Sequence, residues 1–512
     1  MGITPTILFC EVKDVIIEPN TDMLILQDVP LDPSYQHTIY FSNSGAQASY
    51  FSSKVKYTFS NYSYQRVNSG ITRVSVNAES LYNCNYMMFR NTNFGNRWFY
   101  AFITKVDYIA NKVTQITFKL DIMQTWLFDY QLLPCIVERQ HTESDEIGTT
   151  LTAEPFSVTN YIESNIMYSD GSQPNISPQR NYKIAIFYNP DETFGTITGG
   201  YIGTTFSGVK ITVCDTAEEA IAILSGLGAK VGDLVVNIVM FPSWISTNGL
   251  SDSPSYFTND ILYTYNTDSV DGYKPKNKKL LQYPFTKITV SGNAGKIDFR
   301  PENVSNKGQL KFRAFANIAG NPDVYLKPIN YAGSTDATPS GEYALAINGF
   351  SKCAFSYSAY QQWLAYHGGS IVSSISNSVL GGYTGMLTTG ISLTGQFIDA
   401  MNQPNKTNGS LDGNGLCGAG ILCYQFSKQT VTAEMAKVYD DYFTKYGYAI
   451  QRLQTPNRTA RPNYTFIKTQ NCEISGSLPA DDAAEICKIY DNGITWWKNG
   501  DNVGNYNVNN NP

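Results

Sequence analysis

"RWFYAFITKVDYIANKVTQITFKLDI", Arg97 to Ile122, decides the fold class. Ile116, Phe118, Leu120 and Ile122 take alternate positions, with Thr117, Lys119 and Asp121 between them, the period-two pattern of a strand with one buried and one solvated face. The turn at Asn111-Lys112 folds this strand back onto Arg97 to Tyr108, so the stretch reads as a long antiparallel hairpin. The rest of residues 1–140 continues as strands and turns. Between 141 and 350 come further short strands separated by Gly, Pro, Asn and Asp, as in "SPQRNYKIAIFYNPDE" and "YPFTKITVSGNAGKIDFR". One helix interrupts them: Asp215-Thr216 followed by Glu218-Glu219 offers a capping box in either register before "AIAILSGLG".

After Phe355 the pattern turns helical. "SYSAYQQWLAYH" leads into a stretch without charge, and "TAEMAKVYDDYFTKYGY" places Met435, Val438/Tyr439 and Tyr442/Phe443 at helical spacing behind Thr432. Strands return around "NYTFIKTQNCEISGSL", followed by a capped helix at "PADDAAEICKIY" and a turn at Asp491-Asn492-Gly493. The Asn-rich terminus "NYNVNNNP" is expected to fray. The expectation is a mainly β protein with a few helices, in four regions: 1–140, a middle β domain with one helix at 141–350, a helix plus hydrophobic loop at 351–430, and an α/β segment at 431–512.

Composition narrows the function. Charged residues are 16% of the 512, against roughly 25% in an average soluble protein, while aromatics reach 13% with 36 Tyr. Such a surface suits sheets and subunit contacts. The net charge of −6 argues against gripping nucleic acid, since that affinity rests on Lys and Arg neutralising phosphates. The nine Cys are spread singly, and the close pair Cys417 and Cys423 lacks metal-ligand spacing, so they read as reduced and structural. "MGITPTILFCEVK" has no secretory pattern and reads as a first strand, although Gly2 and Thr6 match the loose myristoylation pattern. No run is long and apolar enough for a constitutive membrane span.

Chemistry-bearing patterns are missing. His37, His141 and His367 lie far apart and read as surface or packing residues. Nucleophile elbows and phosphate loops are absent. Asp440-Asp441 and Asp481-Asp482 are neighbours that point apart on a helix, and solvated helix faces explain them. A glycosidase would have to assemble two carboxylates from distant strands. No catalytic, cofactor or metal site is expected.

The unusual element is Gly368 to Ile398, "GGSIVSSISNSVLGGYTGMLTTGISLTGQFI", 31 residues without Asp, Glu, Lys or Arg. Ile371, Ile375, Val379 and Tyr383 recur every four residues, and Met386/Leu387, Ile391 and Ile398 continue a rough helical stripe opposed by Ser, Thr and Gly, where a surface helix normally places charges; Leu380, Leu393 and Phe397 complete the apolar positions assigned to the hydrophobic loop. As a helix the stretch would extend about 46 Å, against a hydrocarbon core of about 30 Å. One tilted span or a hairpin broken at Gly381-Gly382 therefore fits. Gly381 and Gly385 have the small-xxx-small spacing that lets helices approach closely. With twelve of the 31 positions Ile, Leu, Val, Met, Phe or Tyr, insertion calls for several copies covering each other's polar faces.

"LYNCNYMMFRNTNFGNRWFYAFITKVDYIANKVTQITFKLDIMQTWLFDY", Leu81 to Tyr130, resembles the tail knob, or tail tube, proteins of small protein-primed podoviruses that infect Gram-positive bacteria. The motifs are Leu81-Tyr82-Asn83, Met88-Phe89, Gly95-Asn96 with Trp98-Phe99-Tyr100-Ala101-Phe102, and Gln124-Thr125-Trp126 with Phe128. A second block follows in the same order: Lys445-Tyr446-Gly447-Tyr448, Pro456-Asn457, Arg461, Tyr464, Asp491-Asn492-Gly493-Ile494-Thr495 with Trp497, Asn502 and Gly504-Asn505-Tyr506. The resemblance implies β-barrel-like tube domains around a channel, a hexameric ring of copies, and a place at the distal end of the virion tail between an upstream tail or collar protein and a distal tip protein. It implies DNA passing without specific binding, and a hydrophobic loop that plugs the tube and enters the host membrane. A tail-associated glycan-degrading enzyme and a receptor-binding tail fibre are the alternatives.

Overall fold

The computed structural model describes residues 20–62, 69–169, 182–189, 199–202, 205–227, 234–242, 244, 259–292, 295–317, 323–335, 345–347 and 424–512. The chain forms two units, one from residues 1–156 and 438–512, the other from 157–437. It is mainly β with a few helices, and its sheet curls into a half-barrel.

The first unit holds a six-stranded antiparallel sheet in the order Val55–Tyr62, Thr21–Gln27, Cys84–Arg90, Phe99–Ala110, Val113–Leu120, Ser69–Val74. The Arg97–Ile122 hairpin forms as its alternation requires: Ile116, Phe118 and Leu120 are buried, and Lys119 faces the other way. Lys112 closes the turn with φ +58°, a left-handed conformation usually left to Gly or Asn, and its N–H donates to Asn77 Oδ1 at 2.9 Å. Asp121 departs from the expected solvated face. The strand ends at Leu120, and Asp121 turns inward to cap the short helix Ile122–Thr125, accepting the N–H groups of Met123 and Gln124 at 3.1 Å.

Aromatic rings fill the space below this sheet. Helix Ser44–Ser52, capped by Asn43, lays Phe51 flat on Tyr86 at 5.2 Å, and Phe102 meets Tyr86 edge-on at 5.4 Å. A second, five-stranded sheet runs His37–Ile39, Ile494–Trp497, Tyr464–Gln470, Cys135–Gln140, Tyr448–Gln454. Its first pair is parallel, so an early strand is closed against the last one of the chain. Both Trp496 and Trp497 are fully buried there.

Helix Ala480–Asn492 packs its Ile486, Ile489 and Tyr490 inward. Pro479 at its start supplies no side-chain acceptor, so the expected cap is absent, and Asp481 and Asp482 in the first turn complement the helix dipole instead. The C-terminus is also held rather than frayed. Asn510 Oδ1 accepts the N–H groups of Asn463 and Tyr464 at 3.0 Å each, and its Nδ2 donates to Tyr464 O at 2.9 Å.

The second unit contains a four-stranded sheet, Ile162–Tyr168, Gln425–Thr430, Thr286–Gly292, Gly295–Phe299, and another of Asn259–Thr264, Gln309–Asn317, Asp323–Pro328, Leu345–Ile347. A three-stranded sheet, Lys210–Cys214, Tyr182–Tyr188, Val235–Pro242, carries the expected helix Ala217–Gly226. The cap forms in the Thr216–Glu219 register: Thr216 Oγ1 accepts the Glu219 N–H at 3.3 Å, and Glu219 Oε2 returns to accept the N–H of the preceding Asp215 at 2.9 Å, a capping box displaced by one residue.

Candidate functional site

Ile371, Ile375, Val379, Leu380, Gly381, Gly385, Met386, Leu387, Ile391, Leu393, Phe397 and Ile398, the residues assigned to the loop, lie outside the described residues, as does His367. The strands flanking the stretch both belong to the second unit. Before it comes Leu345–Ile347, at the edge of one four-stranded sheet; after it comes Gln425–Thr430, inside the other.

The return point is firmly seated. Tyr424 is buried, its carbonyl accepts the Ser169 N–H at 2.9 Å, and its own N–H donates to Ser169 Oγ at 3.1 Å. Trp244 meets its ring at 5.9 Å. Two residues on, Phe426 is fully buried between Tyr263 and Phe312, at 5.7 and 5.4 Å. Lys428 is buried in the same strand, where its Nζ donates to Ser269 O at 2.6 Å, and burial brings its pKa down to about 8. Because this strand is hydrogen-bonded on both sides, a force on the preceding segment reaches the middle of a sheet rather than a free edge.

In the first unit, buried charged groups are occupied in holding backbone. Arg139 donates through Nη1 and Nη2 to Glu154 Oε2 at 2.8 and 2.7 Å, and Nη2 also donates to Gly447 O at 3.0 Å. Glu154 Oε1 accepts the Ala449 N–H at 3.0 Å, so one ion pair clasps the turn between a helix and a strand. Asp145 accepts from the Tyr448 hydroxyl. His141 Nδ1 accepts the Phe466 N–H at 2.8 Å and Nε2–H donates to Thr444 O at 3.2 Å, while burial and the neighbouring Arg461 lower its pKa to about 3. It is a packing histidine. Asp121 is pushed up to about 6 by burial although Tyr86 OH donates to it at 2.8 Å. Asp440 and Asp482 are buried, so solvated helix faces do not explain them.

Among the described residues, no group of three or more His, Cys, Asp or Glu is placed to hold a metal ion, and no helix is long and apolar enough to cross a membrane.

The motif residues of the two sequence blocks have identifiable structural tasks. Gly95, with φ +64°, follows the 3-10 turn Thr92–Phe94. Arg90 lies over the Trp98 ring at 4.7 Å, and Arg97 over Trp126 at 4.4 Å. Gln124 is fully buried and donates to Thr38 Oγ1 at 2.9 Å and Ile39 O at 2.8 Å. Gly447, with φ +64°, would bring a Cβ to 2.4 Å from the backbone of Gln140 and His141. Asp491 Oδ1 accepts from Thr469 Oγ1 at 2.7 Å and from the Cys472 N–H at 3.1 Å. These are positions where the fold closes on itself, which is why both blocks are dense in Gly, Trp and Tyr.

Residues 19–131 match the family described as caudoviral major tail protein N-terminus. Residues 252–419 and 392–511 match the family described as Bacillus phage phi29, tail knob protein gp9, C-terminal domain. The chain is 25% identical to tail knob protein gp9 of Bacillus phage PZA, with 96% of this chain and 98% of the relative covered. The same identity and coverage hold for tail knob protein gp9 of Bacillus phage phi29. Among solved structures, the bacteriophage C1 tail knob protein gp12 superposes with a TM-score of 0.62 at 14% identity, covering 95% of this chain and 98% of that one.

Proposed function

The chain belongs to the phage tail knob protein family that includes gp9 of Bacillus phage phi29, and on that premise we propose that it forms the distal DNA-ejection conduit, with Gly368–Ile398 as plug and membrane-inserting segment. It is a structural component of the virion tail and not an enzyme. The observation that carries the proposal is the charge-free stretch itself, 31 residues without Asp, Glu, Lys or Arg inside an otherwise polar chain.

Other features support the reading. Both flanks of the stretch belong to one unit, as an excursion from a seated scaffold requires. Copies arranged in a ring, six as the resemblance implies, continue the curvature of the half-barrel around a lumen. The hairpin tip leaves Tyr108 and Ile109 69% and 46% exposed, which suits contact with a neighbouring copy. A net charge of −6 per chain repels phosphate and favours release of DNA in transit. The ring joins an upstream tail or collar protein to a distal tip protein, and the freed segments from several copies enter the host membrane together.

The test is dye release from liposomes of bacterial lipids, at neutral and mildly acidic pH, by the full chain and by a deletion of Ser370 to Gln396. Leakage lost in a variant that still forms rings supports the pore. Absence of leakage from the full chain under both conditions overturns membrane insertion, and loss of rings in the variant assigns the segment to packing.

A further inference from the structure

A cavity of about 330 Å³ opens in the first unit, between the 140–152 segment and the strand Tyr448–Gln454. The strand pairing with Cys135–Gln140 is irregular there: between Ala449 and Arg452 the register shifts, and Gln451 takes φ +47°. This bulge brings Ile450 and Arg452 to the cavity wall.

The chemistry of the wall specifies what could fill it. Thr142 Oγ1 donates to Ser144 O at 2.7 Å, Thr149 Oγ1 to Glu146 O at 2.8 Å, and Thr152 Oγ1 to Ile450 O at 3.1 Å. Each of these hydroxyl protons is already committed to a carbonyl of the protein, so the Thr142 and Thr149 oxygens offer lone pairs to an incoming group. Glu143 is likewise an acceptor, with Asn457 Nδ2 donating to its Oε1 at 2.6 Å. Asn457 itself is held, since its N–H donates to Gln140 Oε1 at 3.2 Å and its Oδ1 accepts the Thr459 N–H at 2.8 Å. Against this row of acceptors stands one cation of the wall, Arg452, which forms no ion pair among the described residues.

A complementary ligand therefore carries several O–H donors and one anionic group. We propose that this cavity binds an acidic carbohydrate, its hydroxyls donating to Thr142, Thr149 and Glu143 and its carboxylate or phosphate pairing with Arg452. Leu151, 64% exposed at the rim, supplies an apolar surface for the C–H face of a sugar ring. The lone carboxylate of the wall leaves the site without the facing pair that glycan cleavage uses, so it is a binding site and not a hydrolytic one.

Saturation-transfer NMR and calorimetry on the full chain, with glucuronate, glucose 6-phosphate, glucose and inorganic phosphate as probes, test this. Both acidic sugars should bind, roughly tenfold more tightly than glucose, with inorganic phosphate weaker than either. Arg452→Ala should remove that roughly tenfold preference while leaving glucose unchanged, and Thr455→Trp, at an exposed position of the wall, should block all the sugars without moving the melting temperature. The two acidic probes distinguish a carboxylate from a phosphate as the preferred anion. Failure of every sugar to bind, binding untouched by both substitutions, or inorganic phosphate binding as tightly as the sugar phosphate overturns the proposal. So does protection of Arg452 from a guanidinium-modifying reagent by ring assembly alone, which would assign the cavity to a neighbouring copy.

Discussion

The indole N–H of Trp126 donates to Asp482 Oδ2 across 2.8 Å, a bond between residues 356 positions apart with both side chains buried. It fastens the segment that follows the N-terminal sheet to the first turn of the C-terminal helix, and together with the Tyr130–Tyr490 hydroxyl pair at 3.1 Å it ties the two halves of the first unit through buried polar contacts. Arg97 covers the same indole and donates to Thr125 O at 2.9 Å. Trp126→Phe keeps much of the ring but removes the donor from a buried carboxylate. Chemical denaturation should show a loss of about 1–3 kcal/mol, since a buried group deprived of a hydrogen bond keeps its desolvation cost. Stability within a few tenths of a kcal/mol of the parent would show that this contact does not join the halves.

Asp121 and His141 make opposite contributions to the pH dependence of the same unit. Asp121 is held at about 6 by burial, so it keeps a proton that the unfolded chain has lost; its stabilising effect is complete below pH about 4 and disappears as pH rises through 6. His141, lowered to about 3 by burial and Arg461, stays neutral where the unfolded chain binds a proton; its effect is complete above pH about 6.5 and is lost on acidification. Between about pH 4 and 6 these two slopes offset each other. Asp121→Asn keeps an acceptor for Met123 and Gln124 but removes the acid. Its urea midpoint should fall below pH 6 with the histidine slope uncovered, up to about 1.4 kcal/mol per pH unit. A variant whose midpoint follows the parent at each pH would refute the buried-acid account.

Legibility in the sequence depended on how local the cause is. The Arg97–Ile122 hairpin was readable because alternation and a two-residue turn lie side by side in the chain, and the helix Ala217–Gly226 because its capping box is contained in five residues. Asp482 and Asp440 were misread as solvated because nothing within a helix shows that a carboxylate will turn into the core; for Asp482 the reason is an indole on another segment. Arg139 with Glu154 was missed for the same reason, since their value comes from Gly447 and Ala449 on a distant turn. The acceptor-lined cavity follows from committed threonine protons and a strand bulge, neither of which has a composition signal. The Gly368–Ile398 stretch stood out for the opposite reason: an absence of charge is visible without any coordinates.

The C-terminal Asn510 gives the sharpest contrast between composition and structure. An Asn-rich end normally stays solvated, yet this side chain imitates a strand neighbour: its carbonyl oxygen accepts two successive backbone N–H groups, Asn463 and Tyr464, and its amide donates to Tyr464 O. Asn463 Nδ2 reciprocates to Asn509 O at 2.7 Å, and Tyr506 closes against Tyr464 and Trp497 at 5.2 and 5.3 Å. The tail thus seals the end of a sheet whose tryptophans are fully buried. Asn510→Ala removes three bonds at a partly exposed site, which should cost about 1–2 kcal/mol, less than three buried bonds because water replaces some of them. Hydrogen exchange localises the effect: the amides of Asn463 and Tyr464 should exchange at least tenfold faster in the variant, while Phe466, whose N–H is held by His141, keeps its parent rate. Equal acceleration at all three amides would mean that the whole sheet loosens, and unchanged rates at Asn463 and Tyr464 would mean that the tail is not bound there in solution.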